Sequence, residues 1–90
     1  MSQNYRLVAS KTFLRDLKKL PPEMKPRVRK ALLEIKKDPY SSRDLKKLAN
    51  VKLGRWRLKI GVYRLRYDVT GYDIKLRIIR HRKDVYRKNK

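Results

Sequence analysis

The sequence predicts an α+β fold of order β-α-α-β-β-β, with a two-helix hairpin packed on one face of a small, mainly antiparallel sheet. Three observations predict it. Residues 55–81 alternate apolar and charged side chains with period two, broken at Gly61 and at Thr70-Gly71, as half-buried strands joined by turns do. Residues 11–37 carry apolar residues at helical spacing instead, interrupted by Pro21-Pro22. Ninety residues without a linker, repeat or low-complexity segment read as one domain spanning 1–90.

The elements follow in order. Tyr5–Ala9 reads as a short strand, and Ser10 as the cap of the first helix. That helix places Phe13, Leu14, Leu17 and Leu20 on one stripe. Pro22 suits the start of a second helix, in which Met24, Val28, Ala31, Leu32 and Ile35 recur. Asp38-Pro39 closes it, because a residue before proline is pushed out of the α region. The segment 40–54 reads as a loop or short helical turn anchored by Leu45 and Leu48. Three strands are then expected over 55–60, 62–69 and 73–81. Trp56, Leu58 and Ile60 alternate with Arg55, Arg57 and Lys59. Tyr63, Leu65, Tyr67 and Val69 alternate with Arg64, Arg66 and Asp68. Ile74, Leu76 and Ile78 alternate with Lys75 and Arg77. Trp56, Tyr63 and Tyr67 are expected in or at the edge of the core. The tail 82–90 is basic, with Val85 and Tyr86 as its points of attachment.

Charge narrows the function. Lys and Arg number 28 against 8 acids, a formal net charge of +20. Residues 51–90 hold 14 of those cations and three acids, Asp68, Asp73 and Asp84. A sheet with one apolar face and one cationic face is a platform for a polyanion. There is no cysteine and a single His, His81, so disulfides and thiolate metal sites are excluded and no cofactor or metal is expected. No apolar run approaches a membrane span, and MSQNYRLVAS lacks an apolar core of signal-peptide length. The expected location is the cytoplasm, without membrane association.

Neither a Gly-rich phosphate loop nor a Ser-His-Asp set is present. An enzyme built from this chain relies on Lys, Arg, Tyr and His81. These suit cleavage of RNA in which the substrate's own 2′-hydroxyl attacks phosphorus. That reaction needs a proton acceptor, cations around the phosphorane and assistance to the leaving oxygen. Arg57 and Lys59 share a strand face. Arg64 lies across the Gly61 turn, Arg80, His81 and Arg82 end the last strand, and Tyr86 offers a ring for stacking. Arg55, Arg66, Lys75, Arg77, Arg80 and His81 complete the expected RNA-contacting set. The same pattern also fits a solvated basic face that binds phosphates and catalyses nothing.

The segments WRLKIGVYRLRYDV and IIRHRKDVYRK resemble the RelE/ParE superfamily of toxins, most closely the RelE-type mRNA interferases. The matching elements are Trp56, Arg57, Lys59, Gly61, Tyr63-Arg64, Tyr67, His81-Arg82 and Tyr86. The resemblance implies a toxin of a type II toxin–antitoxin system, a metal-independent endoribonuclease that cuts mRNA in the ribosomal A site and is held by a cognate RelB-like antitoxin. It implies Lys59 as the base, Arg57 as the second basic strand position and Arg64 as the stabiliser of the phosphorane. Arg82 then contacts the phosphate and leaving group, and Tyr86 stacks on or orients the base. Two departures stand out: Arg57 where Lys is common, and Arg80 before His81 where a small residue is usual. Two other readings remain, a ParE-like inhibitor of DNA gyrase and a non-catalytic RNA- or ribosome-binding protein.

Overall fold

A computed structural model describes residues 5–86. A five-stranded mixed sheet has the order β1-β5-β4-β3-β2, with β1 Arg6–Ala9, β2 Leu45–Lys47, β3 Trp56–Ile60, β4 Tyr63–Thr70 and β5 Asp73–His81. Neighbours are antiparallel except β1, which runs parallel to β5. The helices are α1 Lys11–Lys18, α2 Lys25–Lys37 and α3 Arg82–Tyr86.

Ser10 caps α1 as expected: its Oγ accepts from the Phe13 amide at 3.0 Å and its hydroxyl donates to the Arg77 carbonyl at 3.0 Å. One side chain thus starts the helix and ties it to β5. Pro22 opens a single 3-10 turn, Pro22–Met24, and α2 follows from Lys25. Asp38 ends α2 in extended conformation before Pro39. The core joins Phe13, Leu20, Val28, Ala31 and Ile35 from the helical layer to Leu58, Ile60, Leu65, Tyr67, Ile74, Leu76 and Ile79 from the sheet. The Tyr67 hydroxyl, deep in that core, donates to the Pro39 carbonyl at 2.6 Å and ties the end of α2 to the sheet.

Three expectations are corrected. The segment 40–54 is not all loop: Leu45–Lys47 pairs with Trp56–Leu58 as an edge strand. Three residues with two lysines give little alternation, which is also how exposed edges avoid pairing with other chains. Leu14 is 47% exposed, and Asp16 is buried in the stretch of α1 that was expected to be apolar. Arg66 pairs with Ile78 but Tyr67 pairs with Leu76, so Arg77 is an extra residue in β5. That bulge reverses the alternation beyond it. Ile79 enters the core and Ile78 moves to the opposite face. Residues 82–86 of the basic tail, which the sequence reads as attached through Val85 and Tyr86, form α3. The tail residues 87–90 lie outside the described residues, as do the side chains of Val85 and Tyr86.

Candidate nucleic-acid interface

The register decides which cations share a face. Lys59 stands opposite Arg64, and Arg64 opposite Arg80, giving one row across β3, β4 and β5. Arg57 stands opposite Arg66 in the next row. Directly opposed side chains in antiparallel strands lie about 4.5–5.5 Å apart at Cβ, and like charges in that arrangement repel. The fold therefore holds an unfavourable arrangement of its own charges at one place, and an anion bound there relieves it.

Arg64 is the centre of the row. It is 7% exposed, and its Nη1 donates to the Gly61 and Tyr63 carbonyls, both at 3.0 Å. Its Nε is buried without a hydrogen-bond partner among the described residues. A buried, under-satisfied guanidinium is costly. The hairpin turn fixes this one in place, as a preorganised cation should be. Gly61 makes the turn with φ +60°, and the Arg27 guanidinium lies against it on the outside.

The other expected residues divide into two groups. Lys59 is exposed and also lines an open cleft of about 670 Å³ between α2 and β3. Arg57 is half-buried, Arg55 is exposed, and Lys75 is half-buried beside Asp68 in the ladder. Arg82 opens α3 exposed, and its amide donates to the Val62 carbonyl at 2.8 Å. His81 holds that junction: its Nδ1 accepts from the Lys83 amide at 3.2 Å, and its ring meets Tyr63 edge-on at 5.6 Å. Tyr86 closes α3.

Arg66, Arg77 and Arg80 form the second group, and each is engaged internally. Arg66 donates to the Gly54 and Leu53 carbonyls, both at 2.9 Å. Arg77 Nε donates to Asp68 Oδ2 at 2.8 Å, and Arg80 Nε to Asp16 Oδ2 at 3.0 Å. Asp68 also accepts from the Gly54 and Arg55 amides, at 2.7 and 2.9 Å. Burial raises the Asp68 carboxyl. The Arg55 and Gly54 amides and the Arg77 guanidinium outweigh it, and the net shift is below the ordinary carboxylate value. Together, Arg66 and Asp68 fold residues 53–55 onto the charged face of the sheet, so that face is only partly open. Gly54 allows the approach: its φ is +69°, and a Cβ there would lie 3.0 Å from Arg66 Cβ.

Sequence reasoning missed Asp16 and Asp68 as organisers of this face. Asp16 accepts the Ile79 amide at 3.2 Å as well as Arg80. It holds β5 where β1 has already ended. Its one legible signal is an acid among the apolar positions of α1. Among the described residues no group of three or more His, Cys, Asp or Glu is placed to hold a metal ion. No helix among them is long and apolar enough to cross a membrane.

The chain and its fold as a whole have counterparts among known proteins. The model of the ParE toxin family of type II toxin–antitoxin systems matches residues 7–86. Toxin RelE3 of Methanocaldococcus jannaschii is 32% identical over 84 residues, which cover 90% of this chain and 94% of that toxin. The Mycobacterium tuberculosis toxin–antitoxin complex RelBE2 contains a chain that superposes with a TM-score of 0.75 at 26% identity, covering 88% of this chain and 99% of that one. The RelB–RelE antitoxin–toxin complex of Methanococcus jannaschii gives 0.72 at 28% identity, over 88% and 94% of the two chains. The chain belongs to the RelE/ParE family of type II toxin–antitoxin toxins.

Proposed function

We propose that this toxin is a ribosome-dependent mRNA endoribonuclease that cuts in the A-site codon through attack by the substrate's 2′-hydroxyl. The observation that carries the reading is the row Lys59–Arg64–Arg80, with Arg57 beside it and Arg82 one residue beyond Arg80's neighbour His81. In this reading Lys59 must first release its ammonium proton to solvent, and the resulting amine takes the 2′ proton as the oxygen bonds to phosphorus. Arg57 and Arg64 hold the negative charge of the phosphorane, with Arg64 fixed by the Gly61 turn so that little reorganisation is needed. Arg82 contacts the phosphate at the breaking bond to the 5′ oxygen, which takes a proton from solvent water as it leaves. Tyr86 stacks on the base. Arg66, Arg77 and Arg80 act mainly by holding the face together. No metal enters this scheme, because guanidinium and ammonium groups supply the charge.

The 32% identity to a toxin named RelE3 supports this reading. The two solved relatives are complexes with RelB-type antitoxins, and a net charge of +20 suits an acidic partner of that kind. Replacing Arg64 and Arg82 together by Ala removes growth inhibition on this account, with the circular dichroism spectrum unchanged. Full toxicity in the double variant contradicts it. The ParE name of the matching family model favours a second reading, inhibition of DNA gyrase by binding. A supercoiling assay with purified gyrase separates the two.

A further inference from the structure

Beside the cation row lies a mostly apolar groove of about 270 Å³ that the proposed chemistry does not use. It is lined by Ser10, Thr12, Leu53, Arg66, Arg77 and Ile78. Two departures from regular structure create it. The β5 bulge turns Ile78 out of the core onto the charged face, and the loop held by Asp68 lays Leu53, 58% exposed, over the same face. Its flanking guanidiniums are fixed: Arg66 by the Gly54 and Leu53 carbonyls, Arg77 by Asp68. The Ser10 hydroxyl is already spent on α1 and β5, whereas the Thr12 hydroxyl makes no hydrogen bond among the described residues and remains for a ligand.

We propose that this groove takes a nucleobase of the single-stranded RNA whose backbone crosses the Lys59–Arg64 row. This rests on the RNA-cleaving reading and adds a base-recognition subsite to it. Ile78 and Arg66 sit two residues along their strands from Arg80 and Arg64, about 7 Å away, a step on the scale of one nucleotide. Immobilised guanidinium planes and aliphatic side chains are surfaces on which bases stack. Surrounding cations draw the polyanion in, and a groove with an apolar floor then discriminates base from backbone. A purely phosphate-binding face has no need of two large aliphatic side chains in the middle of its charges.

The test uses two decamers of equal charge, a 2′-O-methyl oligoadenylate and an abasic 2′-O-methyl oligomer, so that attack by the 2′-hydroxyl is blocked. Binding of the full chain is measured across a salt series. Leu53→Ala, at an exposed loop position, and Ile78→Thr, still a strand former, each weaken binding of oligoadenylate about five- to tenfold, toward the low end of what one stacked base contributes. Neither changes binding of the abasic oligomer or the salt slope, because no phosphate contact is lost. Lys59→Ala, by contrast, lowers the slope for both oligomers. Unchanged oligoadenylate binding in both groove variants, or equal weakening for both oligomers, overturns the proposal and leaves the groove to a protein partner. If Lys59→Ala still lowers the slope in that case, the RNA reading stands and the base subsite alone falls. Failure of the wild-type chain to bind either oligomer overturns the base subsite, whereas the ribosome-dependent reading stands or falls by cleavage on programmed ribosomes.

Discussion

Asp68→Asn tests the idea that one carboxylate holds a loop onto the charged face. The native carboxylate accepts three hydrogen bonds of 2.7, 2.9 and 2.8 Å, and its side chain is 16% exposed against 28% for Arg77. Asn keeps one acceptor oxygen and turns an NH2 group toward a donor. At least one charge-assisted bond is lost, and each is worth about 1.5–3 kcal/mol. With partial solvent access the expected loss is about 2 kcal/mol. In a domain of this size that lowers Tm by roughly 8–16 °C. The pH dependence sharpens the test. The folded pKa of Asp68 lies below its ordinary value of 3.8. Its stabilisation is therefore complete well above that value and is lost as pH falls through the depressed one. Thermal melts of both proteins are expected to differ by a constant amount in neutral solution and to converge below pH 3.8. A difference under 2 °C at neutral pH (about a quarter of the smallest expected shift), or a full difference that persists in strong acid, refutes the argument.

Further outcomes follow from the same geometry. Tyr67→Phe leaves the Pro39 carbonyl without its buried donor and costs about 1–2 kcal/mol, read as a lower urea midpoint at unchanged m. Burial also holds the Tyr67 phenol above its ordinary value of 10.0, so the phenol ionises on unfolding before it ionises in the fold. Wild-type stability consequently falls as pH rises above 10.0, and this part of the fall is absent in the Phe variant. Gly54→Ala destabilises more than Gly71→Ala in chemical denaturation. Both glycines have positive φ, but only the Gly54 Cβ would meet a neighbour, Arg66, at 3.0 Å. Arg64→Ala lowers cleavage about 10²- to 10³-fold, the range for loss of one preorganised charge-stabilising group, while single-turnover kinetics show little change in RNA binding.

Much of this was legible in the chain. Period-two runs separated by Gly61 and Gly71 identify β3, β4 and β5, and Ser10 marks the start of α1. The shared face of Arg57, Lys59 and Arg64 follows from spacing and one hairpin turn. The register beyond the bulge does not, because Ile78-Ile79 supplies an isoleucine to the core whichever alternation is assumed. Nor does the division of the arginines. Arg66 and Arg77 look like Arg57 in sequence, and only the fold of residues 53–55 shows that they grip a loop and an acid. Asp16 illustrates the same limit: an acid on a helix reads as surface until the neighbouring strand edge brings it an amide and Arg80. Local pattern gives faces and turns, whereas commitments between distant segments emerge only from the assembled sheet.

The central claim is that the cation row cuts RNA on the ribosome. The most direct measurement is cleavage of an mRNA held on programmed ribosomes, with EDTA-treated protein on the same mRNA free in solution alongside. A cut within the A-site codon by the wild-type chain, absent on free mRNA and abolished in the Arg64→Ala, Arg82→Ala double variant, is the predicted result. An intact message on ribosomes that have bound the protein contradicts it.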